Sequence, residues 1–103
     1  MGTAVKGYLD PVILAVLAGG ALHGYAVIEE LKARSGGELD LPEGTVYPAL
    51  HRLERRGLLK STWTTVEGRR RRIYRLTASG RRELASKTQE WRTFARVVDG
   101  VLS

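Results

Sequence analysis

Side chains able to do covalent chemistry are scarce in this chain of 103 residues. Cysteine is absent, which removes thiolate nucleophiles, disulfides and cysteine-based metal sites. The two histidines, His23 and His51, lie far apart in sequence, no histidine and carboxylate stand paired at a catalytic spacing, and no glycine-rich phosphate loop is present. No enzymatic activity, metal or cofactor is therefore expected. Arginine is what the chain has in excess. Between Arg52 and Arg75 there are nine lysines and arginines against two glutamates, Glu54 and Glu67. A guanidinium is permanently charged and presents a planar fork of donors, which suits phosphate oxygens and the guanine edge. The chemistry on offer is recognition of a polyanion, and the net charge of +6 points weakly the same way.

Spacing makes the case sharper at Leu41 to Gly57, LPEGTVYPALHRLERRG. Val46, Leu50 and Leu53 recur at helical intervals and form one narrow apolar stripe. At about 100° per residue the opposite side carries Gly44, Pro48, His51, Arg52 and Arg55, with Tyr47 and Glu54 on one flank and Thr45 and Arg56 on the other. Such a helix buries a thin edge and offers a wide, mostly cationic face, as a helix lying in a DNA groove must. Pro48 is tolerated if the ordered helix starts near Gly44 or Thr45, because first-turn amides have no intrahelical partner. Thr45 then serves as cap or phosphate ligand, Tyr47 as phosphate contact or cover for the core edge, and His51 as a base or phosphate contact or a solvated side chain.

The remaining elements position this helix. Residues 1–9 read as an arm, and Asp10-Pro11 as a helix start, an N-cap oxygen followed by a fixed φ. Val12 to Ala18 is apolar on every side, so both of its faces need cover, one of them from outside so small a domain. Gly24 to Arg34 reads as a second helix with Tyr25, Ile28 and Leu31 inward, followed by a short extended piece at Leu39 and Leu41. Beyond Gly57 the period becomes two: a strand from Leu58 to Val66, a turn at Glu67-Gly68 and a returning strand from Arg70 to Thr77. The hairpin tip is arginine-rich, Arg69 to Arg72; Trp63 reads as core or hairpin packing and Arg75 as solvent-facing. Thr77 caps a last helix, Ala78 to Leu102, on which Leu84, Trp91 and Val98 fall seven apart with Phe94, Ala95, Val101 and Leu102 between.

The expected class is mainly α with a small β-hairpin: a winged helix-turn-helix over residues 1–77 and a C-terminal dimerisation helix over 78–103, in one compact unit. No apolar run approaches the ~20 residues of a membrane span. The start of the chain lacks a signal-peptide pattern, so a cytoplasmic, nucleoid-associated location is expected. Val12, Val16, Leu84, Trp91, Phe94, Val98 and Val101 are the expected homodimer contacts. Trp91 either packs that interface or, with its copy, walls a pocket for a flat aromatic molecule. A winged-helix module that binds protein rather than DNA is the competing reading.

Three segments, HGYAVIEEL, LPEGTVYPALHRLERRGLL and RRRIYRLTASGRREL, together resemble the PadR family of bacterial transcription regulators, over roughly His23 to Trp91. The resemblance implies a homodimeric winged-helix repressor on a palindromic operator, with the C-terminal helix packed on the partner's N-terminal region over Val12 to Ala18. It matches Tyr47, Pro48 and Arg52 to the DNA-contacting helix, Arg69 to Arg72 to the wing and Trp91 to a C-terminal aromatic position. Some members bind aromatic drugs or phenolic acids between subunits. The single C-terminal helix is similar to the short branch of the family.

Overall fold

The structure is a computed structural model that describes residues 2–103, with side chains from residue 7 onward. Its elements run α1 (Gly2–Ala18), β1 (Leu22–His23), α2 (Gly24–Arg34), α3 (Glu43–Arg55), β2 (Leu59–Val66), β3 (Arg69–Leu76) and α4 (Ala78–Leu102). The three strands form one antiparallel sheet in the order β1-β3-β2. This is the winged helix-turn-helix arrangement followed by one long C-terminal helix.

One core holds the helices and sheet together. Ile13, Leu14, Val16 and Leu17 of α1 meet Val27 and Leu31 of α2, Val46, Ala49, Leu50 and Leu53 of α3, and Tyr74 and Leu76 of β3. The apolar stripe expected on α3 is buried throughout, and Ala49 widens it. Tyr25 departs from expectation: it faces outward, 49% exposed, and Val27 takes the inward position. Leu39 and Leu41 half-bury against the core without forming a strand. The two-residue β1 gives no period to read, yet it extends the hairpin to a third strand through Leu22↔Tyr74 and His23↔Ile73.

Two helix starts differ from the sequence reading. Asp10 and Pro11 lie inside α1 rather than at its beginning. Met1 of the expected arm lies outside the described residues, and the rest of that arm is helical. A proline in a helix forfeits one backbone bond and crowds the carbonyl four residues before it, here that of Gly7. Tertiary packing outweighs this, because Leu9 is buried in the core and the Tyr8 ring meets Trp91 edge-on at 4.9 Å between centroids. Likewise α3 begins at Glu43 with Pro42 as N-cap, so Thr45 is not the cap and Pro48 falls beyond the first turn. The carbonyl that Pro48 cannot serve belongs to Gly44, which is exposed to water.

The end of α3 is tightly specified. Gly57 adopts φ 76°, its N–H donates to the Glu54 carbonyl, and the Leu58 N–H donates to the Leu53 carbonyl. This is a Schellman stop, closed by contact between the buried Leu53 and Leu58. The hairpin turns at Glu67-Gly68, both with positive φ, in the type I′ sense that matches strand twist. Thr77 caps α4 as expected: its Oγ1 accepts from the Gly80 N–H at 3.0 Å and donates to the Gly57 carbonyl at 2.7 Å. The α4 N-terminus thereby presses on the chain leaving α3. A Cβ built on Gly80 would stand 2.1 Å from the Leu58 carbonyl oxygen.

That contact fixes where α4 leaves the domain. Gly80→Ala should cost about 1–3 kcal/mol, a fall in Tm of roughly 4–8 °C per kcal/mol, by circular dichroism at fixed protein concentration. Ser79→Ala, one exposed position away, should stay within about 0.5 kcal/mol of the parent. A Gly80→Ala protein melting with the parent would show that the two backbones are not in contact.

Candidate nucleic-acid interface

Burial of Val46, Ala49, Leu50 and Leu53 turns the opposite ridge of α3 to solvent, and that ridge carries Gly44, Pro48, His51 and Arg55, all exposed. Gly44 and Pro48 add little bulk there, so the helix backbone itself can come close to a flat or grooved partner. Arg55 and His51 are the groups that project.

The two flanks of α3 behave differently from the ridge. On the side of α1 and α4, Arg52 donates to Asp10 Oδ1 at 2.6 Å. Arg56, just past the helix, lies 3.6 Å from the other Asp10 oxygen and donates to Glu83 Oε2 at 3.0 Å. On the hairpin side, Glu54 accepts from Ser61 Oγ and pairs with Arg72 at 3.4 Å, while the Arg72 Nε also donates to Ser61 Oγ. Arg52, Arg56 and Arg72, read from sequence as outward cations, are thus held by carboxylates of the same chain. Among the described residues Arg55, Arg69, Arg70 and Arg71 form no ion pair. Sequence spacing could not disclose these partners, since Asp10 and Glu83 are distant in the chain and Glu54 meets Arg72 only after the hairpin folds back.

Tyr47 packs α3 against the start of α2. Its ring covers Gly24 so closely that a Cβ there would stand 2.5–2.9 Å from the ring atoms and hydroxyl. His23, beside it, caps α2 by accepting the Ala26 N–H on Nδ1. Gly24 thus serves the junction of α2 with α3, and His23 the start of α2. Burial pushes the Tyr47 phenol above its usual pKa and Glu43 adds to this, while Arg71 opposes it. The hydroxyl stays protonated and able to donate. Tyr47 is half-buried, so it covers the core edge and still presents its polar end next to the wing.

In the wing, strand alternation divides the arginines. Arg70 and Arg72 share a face with Trp63, their guanidinium carbons 4.9 and 5.6 Å from its ring centre. Arg69 and Arg71 belong to the other face. Trp63 is hairpin packing and not core: it is 57% exposed and acts as a platform for Arg70. Arg75 is exposed, near Thr62 across the strand pair.

The residues expected at a subunit contact are split. Val16 is already buried within its own chain, because α1 packs against the other helices and the sheet, and it offers nothing to a partner. Val12 and Leu84 are half-buried against the core and Val98 is half-exposed. Trp91 is 50% exposed, Phe94, Val97 and Leu102 more so, and Val101 81%. Val97, which lies outside the heptad reading, is the addition. Clefts of about 430 and 330 Å³ lie between α1 and α4, and Trp91 lines both. Among the described residues no helix is long and apolar enough to cross a membrane and no cluster of potential metal ligands occurs.

Known proteins resemble the whole arrangement. A transcriptional regulator of Mycobacterium tuberculosis, Rv3488, is 42% identical over 88 residues, which cover 85% of this chain and 79% of that protein. The crystal structure of a PadR family transcription regulator from Clostridium difficile has a TM-score of 0.81 at 36% identity, covering 93% of this chain and 99% of the other. A transcriptional regulator from Clostridium thermocellum superposes with a TM-score of 0.87 at 31% identity, covering 94% and 95%. The model of the PadR-like transcriptional regulator family matches residues 13–86, and with these likenesses over nearly its full length the chain belongs to that family, a family of transcriptional regulators and not of enzymes.

Proposed function

We propose that this regulator binds duplex DNA as a homodimer, most simply as a repressor on a palindromic operator. The α3 ridge of Gly44, Pro48, His51 and Arg55 enters the major groove, and Arg69, Arg70 and Arg71 of the wing follow the adjoining backbone. One observation carries the reading. Both flanks of α3 are neutralised by internal carboxylates, while the ridge between them and the hairpin tip beside it remain cationic. An ordinary solvated helix has no reason to leave its charge on that strip. Arg52, Arg56 and Arg72 stay with carboxylates of the same chain at the edges of the interface, and the Tyr47 hydroxyl can meet a phosphate.

Dimerisation is supported by the exposed apolar run of α4 and by shape. The radius of gyration is 14.7 Å, against ~13 Å for a compact chain of this length, because the end of α4 stands away from the domain. A partner covering Trp91, Phe94, Val97 and Val101 would present two copies of α3. A small aromatic effector held near Trp91 between subunits would release the operator by altering that pairing. Action on DNA places the protein at the nucleoid in the cytoplasm.

Selection from random duplexes by the purified protein should return a palindrome with half-sites about one helical turn, ~34–36 Å, apart. Failure to bind any duplex in dilute salt would instead favour a protein-binding module. On the selected site, Arg55→Ala should cost ~1–3 kcal/mol and relax preference at one base pair; a uniform loss on all sequences would make Arg55 a phosphate contact. The Arg70→Ala, Arg71→Ala double variant should flatten the slope of log K against log [salt] by about 0.9 for each phosphate no longer neutralised, and an unchanged slope would remove the wing from the interface. In sedimentation equilibrium the parent should be a dimer and Val97→Glu a monomer; a monomeric parent would refute the pairing.

A further inference from the structure

Asp10 occupies a position that the DNA-binding reading does not explain. It stands on α1, inside a helix whose neighbouring positions are apolar, and its two carboxylate oxygens face two different arginines of the recognition segment, Arg52 and Arg56. Glu83, from the first turns of α4, meets Arg56 from the other side. Two carboxylates and two guanidiniums make a cluster of zero formal charge, with the acids 28% and 26% exposed at the side chain and the bases near half. The acids come from α1 and α4, which in that reading lie away from the duplex, and the bases from the segment that faces it. Carboxylate oxygens here hold the guanidinium donors that a DNA phosphate would otherwise take.

We propose that Asp10 and Glu83 are specificity-determining residues that act as an internal substitute for phosphate. They engage Arg52 and Arg56 so that these do not add sequence-blind contacts to the duplex, which leaves discrimination to the ridge around Arg55 and His51. A surface ion pair contributes only ~0–1 kcal/mol to stability, so the cluster is not needed to seat α3, which four buried apolar side chains already do. Its larger consequence is on counterions: each arginine that turned to a phosphate would release about 0.9 of a counterion and tighten binding to every sequence alike. Because Asp10 and Glu83 belong to α1 and α4, the restraint also ties the recognition segment to the helix expected at the subunit contact.

This inference rests on the DNA-binding reading, and its test separates the two. The full-length parent, Asp10→Asn and Glu83→Gln are titrated with a fluorescein-labelled duplex of mixed sequence, about three helical turns long (~30 base pairs), across a series of KCl concentrations. Asp10→Asn should bind this duplex more tightly than the parent, with a slope steeper by about 0.9 for each arginine released. Glu83→Gln removes one of the two carboxylates that face Arg56 and leaves Asp10, so it should show a smaller change of the same sign. Adding Arg52→Gln and Arg56→Gln to Asp10→Asn should return the slope to that of the parent. Equal slopes for the parent and both acid variants, with or without a lowered Tm, would make the cluster a structural contact only and overturn the inference. Should Asp10→Asn not fold, Glu83→Gln decides alone by the same criterion. A parent with no salt-dependent duplex binding would refute DNA binding itself and this inference with it.

Discussion

Seating of α3 by its apolar edge is the constraint on which the rest of the molecule depends. Val46, Ala49, Leu50 and Leu53 are wholly buried, and full burial of a Val or Leu side chain contributes about 1.5–3 kcal/mol. No ion pair at the surface approaches that sum. The rotation of α3 about its axis is therefore set by these side chains, and every polar residue on the helix takes its direction from them. The Schellman stop at Gly57 and the Thr77 cap then lead the chain into the hairpin and α4 from a defined point. Gly80 lets α4 start against the Leu58 backbone with no side chain between.

Charge is arranged on this frame and not merely accumulated. Arg52, Arg56 and Arg72 are drawn sideways by Asp10, Glu83 and Glu54, and Arg70 lies over the Trp63 ring. The cationic surface that remains is narrower than a count of arginines suggests. Next to α3 it runs along one ridge of the helix and over the neighbouring strand ends, while Arg81, Arg82, Arg92 and Arg96 are exposed along α4. A narrow strip has a functional advantage over a broad patch, since base edges in a groove are reached only from the outermost helix positions. Cations on the flanks would strengthen attraction to any polyanion without improving discrimination.

The α4 helix makes a different demand. Its first half joins the core through Leu84 and touches α1 at Tyr8 and Trp91, whereas Phe94, Val97, Val101 and Leu102 project from a part of the helix with no core beneath it. Among the described residues this surface has no counterpart. The same helix carries Glu83 against Arg56 near its start, so whatever covers its far end is joined by one rigid element to the recognition segment.

Local pattern made much of this legible. The period of three and four at Val46, Leu50 and Leu53, the change to a period of two after Gly57, the Glu67-Gly68 turn and the Thr77 cap are features of neighbouring residues, and their physics is contained within a few bonds of chain. So the helical class, the hairpin, the C-terminal helix and the outward ridge of α3 could all be read before any folding. The tertiary structure settled what depends on residues remote in sequence. It carried α1 through Pro11, because burial of Leu9 outweighs one lost hydrogen bond. It covered Val16 from within the chain and turned Tyr25 outward. It also chose which arginines remain unpaired, since a guanidinium reaches whichever carboxylate the packing brings within a few ångströms, and no periodicity in the chain encodes that distance.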